Sequence, residues 1–365
     1  MYIRDLLARI EALAPLSRAA NWDNCGLQVG SPDEPLKGVL ISVNPSRHAI
    51  EAAIAQGANL VVAHHPLLFK ATKVIDTRHD PGRSTALAMR HGITVYAAHT
   101  NLDVTACNHH LSRLFGIPMD RPIEVMGADP VYRLGVGIPP QDVTRVLEAM
   151  WQAGAGRSER YDQASFLVEG ETTFRPLPGS RPAEGEVMTP SREPLVRAEV
   201  LVKAADLAAV QAAMRGAHPY EEPIFDLIRL DKAGEPYGIG LWGELPEPMA
   251  VSEVLARVKQ AINPRSLRLV GDASRLVRRI GVCSGSGGDL VYDALSQGVE
   301  CFITGELRYH TALDCLDRGL TVIEAGHQAT EQPVVDFLVD ALRPHLPASI
   351  PIMGFSEPEP FEVIQ

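Results

Sequence analysis

Residues 92–99 read GITVYAAH, and residues 319–326 read GLTVIEAG. These near copies each place a glycine ahead of an apolar, β-branched run without strict polar alternation. Such runs are the signature of strands buried on both faces, as in a parallel sheet covered by helices. Outward from the first copy, residues 38–43 (GVLISV) and 57–63 (GANLVVA) read as two more strands, with helices over 46–56 and 84–91. Outward from the second, residues 279–283 and 298–304 (GVECFIT) are strands, with a helix over 288–297 and a helical stretch before residue 319. Both halves therefore read strand–helix–strand–helix–strand, an internal repeat that predicts an α/β core written twice. In open α/β sheets ligands gather beyond the carboxyl ends of the strands. His64, His65, His99, Asp103, Glu306 and His327 all fall at those ends.

Residues 127–237, between the halves, have a different texture. Strand-like 132–138 (YRLGVGI) precedes a helix over 142–152 and a strand over 161–168. A Pro/Gly-rich connection (175–190) leads to a strand at 194–202, a helix over 205–215 and a strand at 221–230. That order is the ferredoxin-like β-α-β-β-α-β pattern. The expected organisation is a first core half at 1–126, an inserted α+β domain at 127–237, and a second core half at 238–365.

The 365 residues are 45% hydrophobic and 22% charged, a composition that argues for a folded chain of two or three units. The net charge of −11 and pI of about 5.6 disfavour wrapping by nucleic acid. No apolar run approaches the ~18–20 residues that span a bilayer. Arg4, Asp5, Arg9 and Glu11 interrupt any secretory h-region, and Ile3, Leu6, Leu7, Ile10 and Leu13 instead form one helical stripe. Cys25, Cys107, Cys283, Cys301 and Cys315 are odd in number and lack C-x-x-C spacing, so they read as reduced thiols. A soluble, cytoplasmic chain is expected.

Three constellations carry chemistry. His64-His65-Pro66 ends a strand; successive strand side chains point to opposite faces, so one ion takes both imidazoles only if the backbone turns there. Alone, the pair reads better as structural histidines. His327 and Glu331 lie four apart in a segment that opens a helix, placing imidazole and carboxylate on one face. His99-x-Asn101-x-Asp103 sits at the equivalent strand end of the first half, where an Asx turn is the simpler reading. Mixed His and carboxylate donors suit Zn, Mn, Fe or Co without selecting one. Residues 281–288 (GVCSGSGG) follow a strand and open a helix, where backbone N–H groups can hold an anion, although a tight turn explains the glycines equally well. Glu306 and His310 are acid/base candidates beside the proposed site. Residues 21–26 (NWDNCG) read as a structured turn or a pocket wall, His109-His110 as a solvated helix pair, and residues 218–222 (HPYEE) as a rigid loop.

Residues 21–30 (NWDNCGLQVG), 61–69 (VVAHHPLLF), 96–103 (YAAHTNLD), 283–288 (CSGSGG), 304–310 (TGELRYH) and 324–331 (EAGHQATE) together resemble the GTP cyclohydrolase 1 type 2 homolog family. The resemblance covers both halves, and the segment 217–227 (AHPYEEPIFDL) is similar to the PII/CutA-like insert of longer members. It implies a homohexameric toroid and two divalent ions per subunit, held by His64, His65, Asp103, His327 and Glu331. It also implies a metal-dependent hydrolase, with water activated against a nucleotide or related small molecule and Glu306, His99 or His310 moving protons. The competing expectation is a metal-loaded regulatory or scaffold oligomer without turnover. One departure bears on the site: where members commonly read L-D-x-T after the first strand, this chain has Val43-Asn44-Pro45-Ser46 and loses an acidic group.

Overall fold

The computed structural model describes residues 1–362. In chain order, α1 (Ile3–Leu13), β1 (Gly26–Val29), β2 (Val39–Ser42), α2 (Arg47–Ala55), β3 (Leu60–Ala63), α3 (Gly82–His91) and β4 (Thr94–Ala97) come first. The short α4 (Thr100–Leu102), a π-helical turn (Asp103–Cys107) and α5 (Asn108–Phe115) follow. Next are β5 (Arg121–Ile138), α6 (Val143–Gln152), β6 (Phe166–Phe174), β7 (Ser191–Lys203), α7 (Leu207–Ala217) and β8 (Phe225–Ala250). The chain continues with α8 (Val251–Ile262), β9 (Arg268–Val270), β10 (Leu276–Cys283), α9 (Val291–Ser296) and β11 (Cys301–Thr304). The last elements are α10 (Tyr309–Asp317), β12 (Thr321–Glu324), α11 (His327–Glu331), α12 (Pro333–Leu342) and β13 (Ile352–Gly354).

The chain divides into two compact units. One joins residues 1–126 to the chain from Tyr237 onward, and the other is residues 127–236. The larger unit holds a sheet of order β1-β4-β3-β2-β13, in which only the β1 pairing is antiparallel. Elsewhere in this unit β10, β11 and β12 are parallel neighbours, β9 pairs antiparallel with β12, and the end of β8 pairs antiparallel with β10. A parallel triplet with an antiparallel strand on its last member thus occurs twice. All residues of β2, β3, β4 and β11 are buried, which is why their sequences (VLIS, LVVA, TVYA, CFIT) are apolar without alternation.

β4 and β12 each begin two residues after the glycine that opens the quoted copies. Gly92 (φ 64°) and Gly319 (φ 72°) are left-handed residues that end the preceding helices, a conformation that costs a residue without Cβ little. Helix α12 and strand β13 were not legible as part of the first half, yet they complete it. Ile352 pairs with Val39, and Val334, Val335, Leu338 and Leu342 share one core with Ile3, Leu6 and Ile10 of α1.

The smaller unit runs β-α-β-β-α-β, with neighbours β6-β7-β5-β8. Its own core joins Leu134, Val136 and Ile138 to Val146 and Met150 of α6 and Val210 and Met214 of α7. Strand β6 starts at Phe166, later than the 161–168 reading, because none of its residues is buried and burial does not pattern its sequence. Among the described residues no helix is long and apolar enough to cross a membrane.

Candidate metal centre

β3 and β4 deliver His64, His65 and His99 to the carboxyl ends of two neighbouring strands, and the loop after β12 delivers α11 with His327 and Glu331. The larger unit brings these together. His64 is fully buried, and its Nδ1 lies 3.0 Å from the Ala98 carbonyl oxygen. A carbonyl only accepts, so Nδ1 carries the proton and Nε2 presents a lone pair. That Nε2 stands 3.6 Å from Asp103 Oδ1 and 3.7 Å from Glu331 Oε1. His65 Nε2 lies 3.2 Å from Glu331 Oε2, and its Nδ1 lies 2.8 Å from Asn44 Oδ1. His327 Nε2 lies 3.1 Å from the same Glu331 Oε2, and its Nδ1 lies 3.0 Å from Glu306 Oε1. The His65 ring is 5.2–5.4 Å from the rings of His64, His99 and His327.

His64 Nε2 is buried and has no hydrogen-bond partner, and His327 Nε2 and Glu331 Oε2, buried and 3.1 Å apart, make no well-directed hydrogen bond. Unpaired buried acceptors aimed at one another repel unless a cation or a proton lies among them. The residues fit a divalent ion. His64 with Asp103 and Cys107, His65 with His327 and Glu331, and His64 with His65 and His99 form three overlapping groups whose donor atoms lie within 4.8 Å of one another. Burial works to raise the Glu331 carboxyl, but the His327 and His65 imidazoles outweigh it and hold it well below the carboxylate range. On His327, burial opposes charge, yet Glu331 and Glu306 push its pKa up to about 9. Burial keeps His64 below its ordinary value. The ionised Glu331 therefore favours positive charge at His327, while burial disfavours it at His64.

Asp103 opens the π-helical turn, an irregularity often found at functional sites. Ser284 Oγ lies 3.3 Å from Asp103 Oδ1. The Gly-rich stretch 283–288 supports the cluster. Ser284 N donates to Asn108 Oδ1 (2.9 Å) and Gly285 N to Thr330 Oγ1 (3.0 Å), so two of the amides read as anion donors are already committed. Gly285 is required for a close approach, since a Cβ there would sit 2.2 Å from Glu331 Oε1.

Sequence reasoning missed two residues. Cys107 joins one donor group; burial first, then Asp103 and Glu331, keep its thiol protonated. Asp23 lies within the NWDNCG segment, whose fixed turn was the available signal. Its carboxylate is 3.0 Å from His99 Nδ1 and accepts from Thr100 N (3.1 Å) and Cys25 Sγ (3.0 Å). Burial opposes ionisation of Asp23, but the bonds from His99, Thr100 and Cys25 hold it well below the carboxylate range. His99 thus turns Nε2 towards the cluster. Exposed Trp22 and Phe69 make edge contacts with its ring.

The other sequence candidates are placed as follows. Glu306 accepts from Ser286 Oγ (2.6 Å) through one oxygen and holds His327 with the other. His310 is exposed on the first turn of α10, packed on Tyr309 and outside every donor group found among the described residues. His218 Nε2 donates to the Gly137 carbonyl (2.8 Å), tying that loop to β5. Beside His327 and Glu306 opens a cavity of about 530 Å³ with Arg265, Arg308 and Phe361 in its wall.

Comparison with known proteins shows the family. Proteins called GTP cyclohydrolase 1 type 2 homolog are similar over most of their length. The Bacillus subtilis protein is 32% identical over 89% of this chain and 88% of its own. The Halalkalibacterium halodurans protein is 34% identical over 87% and 86%. Among solved structures, a Bacillus cereus protein related to NIF3 matches 100% of this chain and 99% of its own, with TM-score 0.82 and 29% identity. Staphylococcus aureus SA1388 matches the same shares with TM-score 0.69 and 26% identity. The model of the Duf34/NIF3 (NGG1p interacting factor 3) family spans residues 1–360, and the chain belongs to that family.

Proposed function

We propose that this protein is a dinuclear metal-dependent hydrolase acting on a nucleotide or related small molecule. The observation that carries the reading is the buried, unpartnered His64 Nε2 facing Asp103 and Glu331 inside overlapping His, Asp, Glu and Cys groups. His64, His65, Asp103, His327 and Glu331 would hold two divalent ions, with Glu331 reaching both groups of donors. Such a pair supplies Lewis acidity and an activated water at neutral pH. His99, backed by the Asp23 carboxylate, holds or delivers a proton at Nε2. Glu306 orients His327 so that Nε2 faces inward. Arg265 and Arg308 stand in the wall of the adjoining cavity, where Arg308 is paired with Asp289 at 3.6 Å and Glu306, Glu324 and Glu359 are neighbours. The relatives' name points to ring-opening of GTP as the first reaction to assay.

The two parallel triplets are read as the repeat seen in the sequence, residues 127–237 as its ferredoxin-like insert, and the assembly as a homohexameric toroid. One observation favours the second reading, a scaffold without turnover: both oxygens of Glu306 are engaged, and His310 stands apart. Protein reconstituted with Zn, Mn, Fe or Co is assayed against GTP and other nucleotides. The hydrolase reading expects metal-stimulated turnover that disappears in a His64→Ala, Glu331→Ala variant. Bound metal without turnover leaves the scaffold; turnover surviving in the variant overturns the site.

A further inference from the structure

Asn44 stands two residues after the end of β2, behind His65, and an asparagine amide can present either its oxygen or its nitrogen. The choice is fixed by what lies beyond it. Asn44 Nδ2 donates to Glu357 Oε2 at 2.9 Å, while the other Glu357 oxygen accepts from the Ser46 hydroxyl. A carboxylate only accepts, so it holds the NH2 of Asn44 on its own side and turns Oδ1 towards His65 Nδ1, 2.8 Å away. His65 Nδ1 must then carry the ring proton, and Nε2, 3.2 Å from Glu331, is left as a lone pair. Glu357 is itself held in place. Gln328 Nε2 donates to its carbonyl oxygen (2.6 Å), and Phe355 N to Ile41 O (2.7 Å) extends the β13 pairing towards it.

We propose that Glu357 is a positioning residue that sets the His65 tautomer through Asn44 and so prepares Nε2 to ligate metal. The proposal rests on the reading of His65 as a metal ligand. The carboxylate absent at position 44 acts from 313 residues away in sequence, one amide removed from the imidazole.

The test is Co(II) titration of the full-length protein, followed by visible absorption and chelator competition, with thermal melts of each metal-free variant. Glu357→Gln supplies an amide that can donate to Asn44, so Asn44 is free to flip and His65 to move its proton to Nε2. Affinity should fall about tenfold or more, the usual cost of losing an outer partner of a metal-binding histidine. Asn44→Asp alone sets two carboxylates face to face and should also weaken binding. The double variant Asn44→Asp, Glu357→Gln restores an acceptor facing His65 with a donor behind it, and affinity should return towards wild type. A strap with only a structural role gives no such rescue. If Glu357→Gln fails to fold, Asn44→Asp against the double variant makes the same comparison. Wild-type affinity in Glu357→Gln, or a double variant no better than the sum of the singles, overturns the proposal. His65→Ala separates the two readings. If it leaves Co(II) binding intact, the metal centre itself is wrong and the inference falls with it. If it weakens binding while Glu357→Gln does not, only the role of Glu357 is lost.

Discussion

Glu331 is the residue on which the cluster turns, because it is buried and three imidazoles approach its two oxygens. The room for it comes from Gly285, which is left-handed (φ 60°) and lacks the Cβ that would strike Oε1. Gly285→Ala should cost about 1–2 kcal/mol in chemical denaturation from the backbone alone, and should displace Glu331 enough to abolish tight metal binding in a chelator competition. His327 gives a pH signature. Its pKa is raised from 6.5 to about 9, so in metal-free protein the ion pair with Glu331 contributes fully below about 6.5 and is lost as pH rises through about 9. Metal requires the neutral imidazole, so apparent affinity should climb from neutral pH towards about 9 with proton release on binding. Calorimetry in buffers of different ionisation enthalpy reads that release, and a pH-independent affinity contradicts it. His64, His65, Asp103, His327 and Glu331 were visible as donors in the sequence. Cys107 and Asp23, the partner of His99, were not, and Asn44 was visible only as a lost acidic group, because their roles depend on contacts made only once the chain folds.

At the scale of elements, the buried strands were legible since complete burial leaves an apolar run with little to confuse it. Their starts were misplaced where Gly92 and Gly319 close helices instead of opening strands. β6 was displaced because an outer strand with no buried residue has no pattern to read. Helix α12 and β13 were overlooked as partners of the first sheet, a pairing no local pattern announces. Their packing has a measurable cost. Leu338 is fully buried with residues of α1 and β2, so Leu338→Ala should lower stability by about 2–5 kcal/mol in urea denaturation. A loss below 1 kcal/mol would place α12 outside that core.

At the scale of the whole molecule, residues 127–236 hold a hydrophobic core of their own. Expressed alone, this segment should unfold in a single cooperative transition by circular dichroism; a non-cooperative melt would mean that it depends on the rest of the chain. The charge of −11 argued against anionic partners when counted over the sequence. Locally, four imidazoles lie ring to ring and are met by the carboxylates of Asp23, Asp103, Glu306 and Glu331, so net charge describes this site poorly. The donors also come from distant parts of the chain. His65 and His327 are about 260 residues apart, and all five cysteines are free thiols. An ion held by both would act as a covalent tie does in secreted proteins, closing a very long loop and removing several kcal/mol of chain entropy from the unfolded state. Chelation would then loosen the seam between the protein's two parallel triplets as well as empty its chemistry.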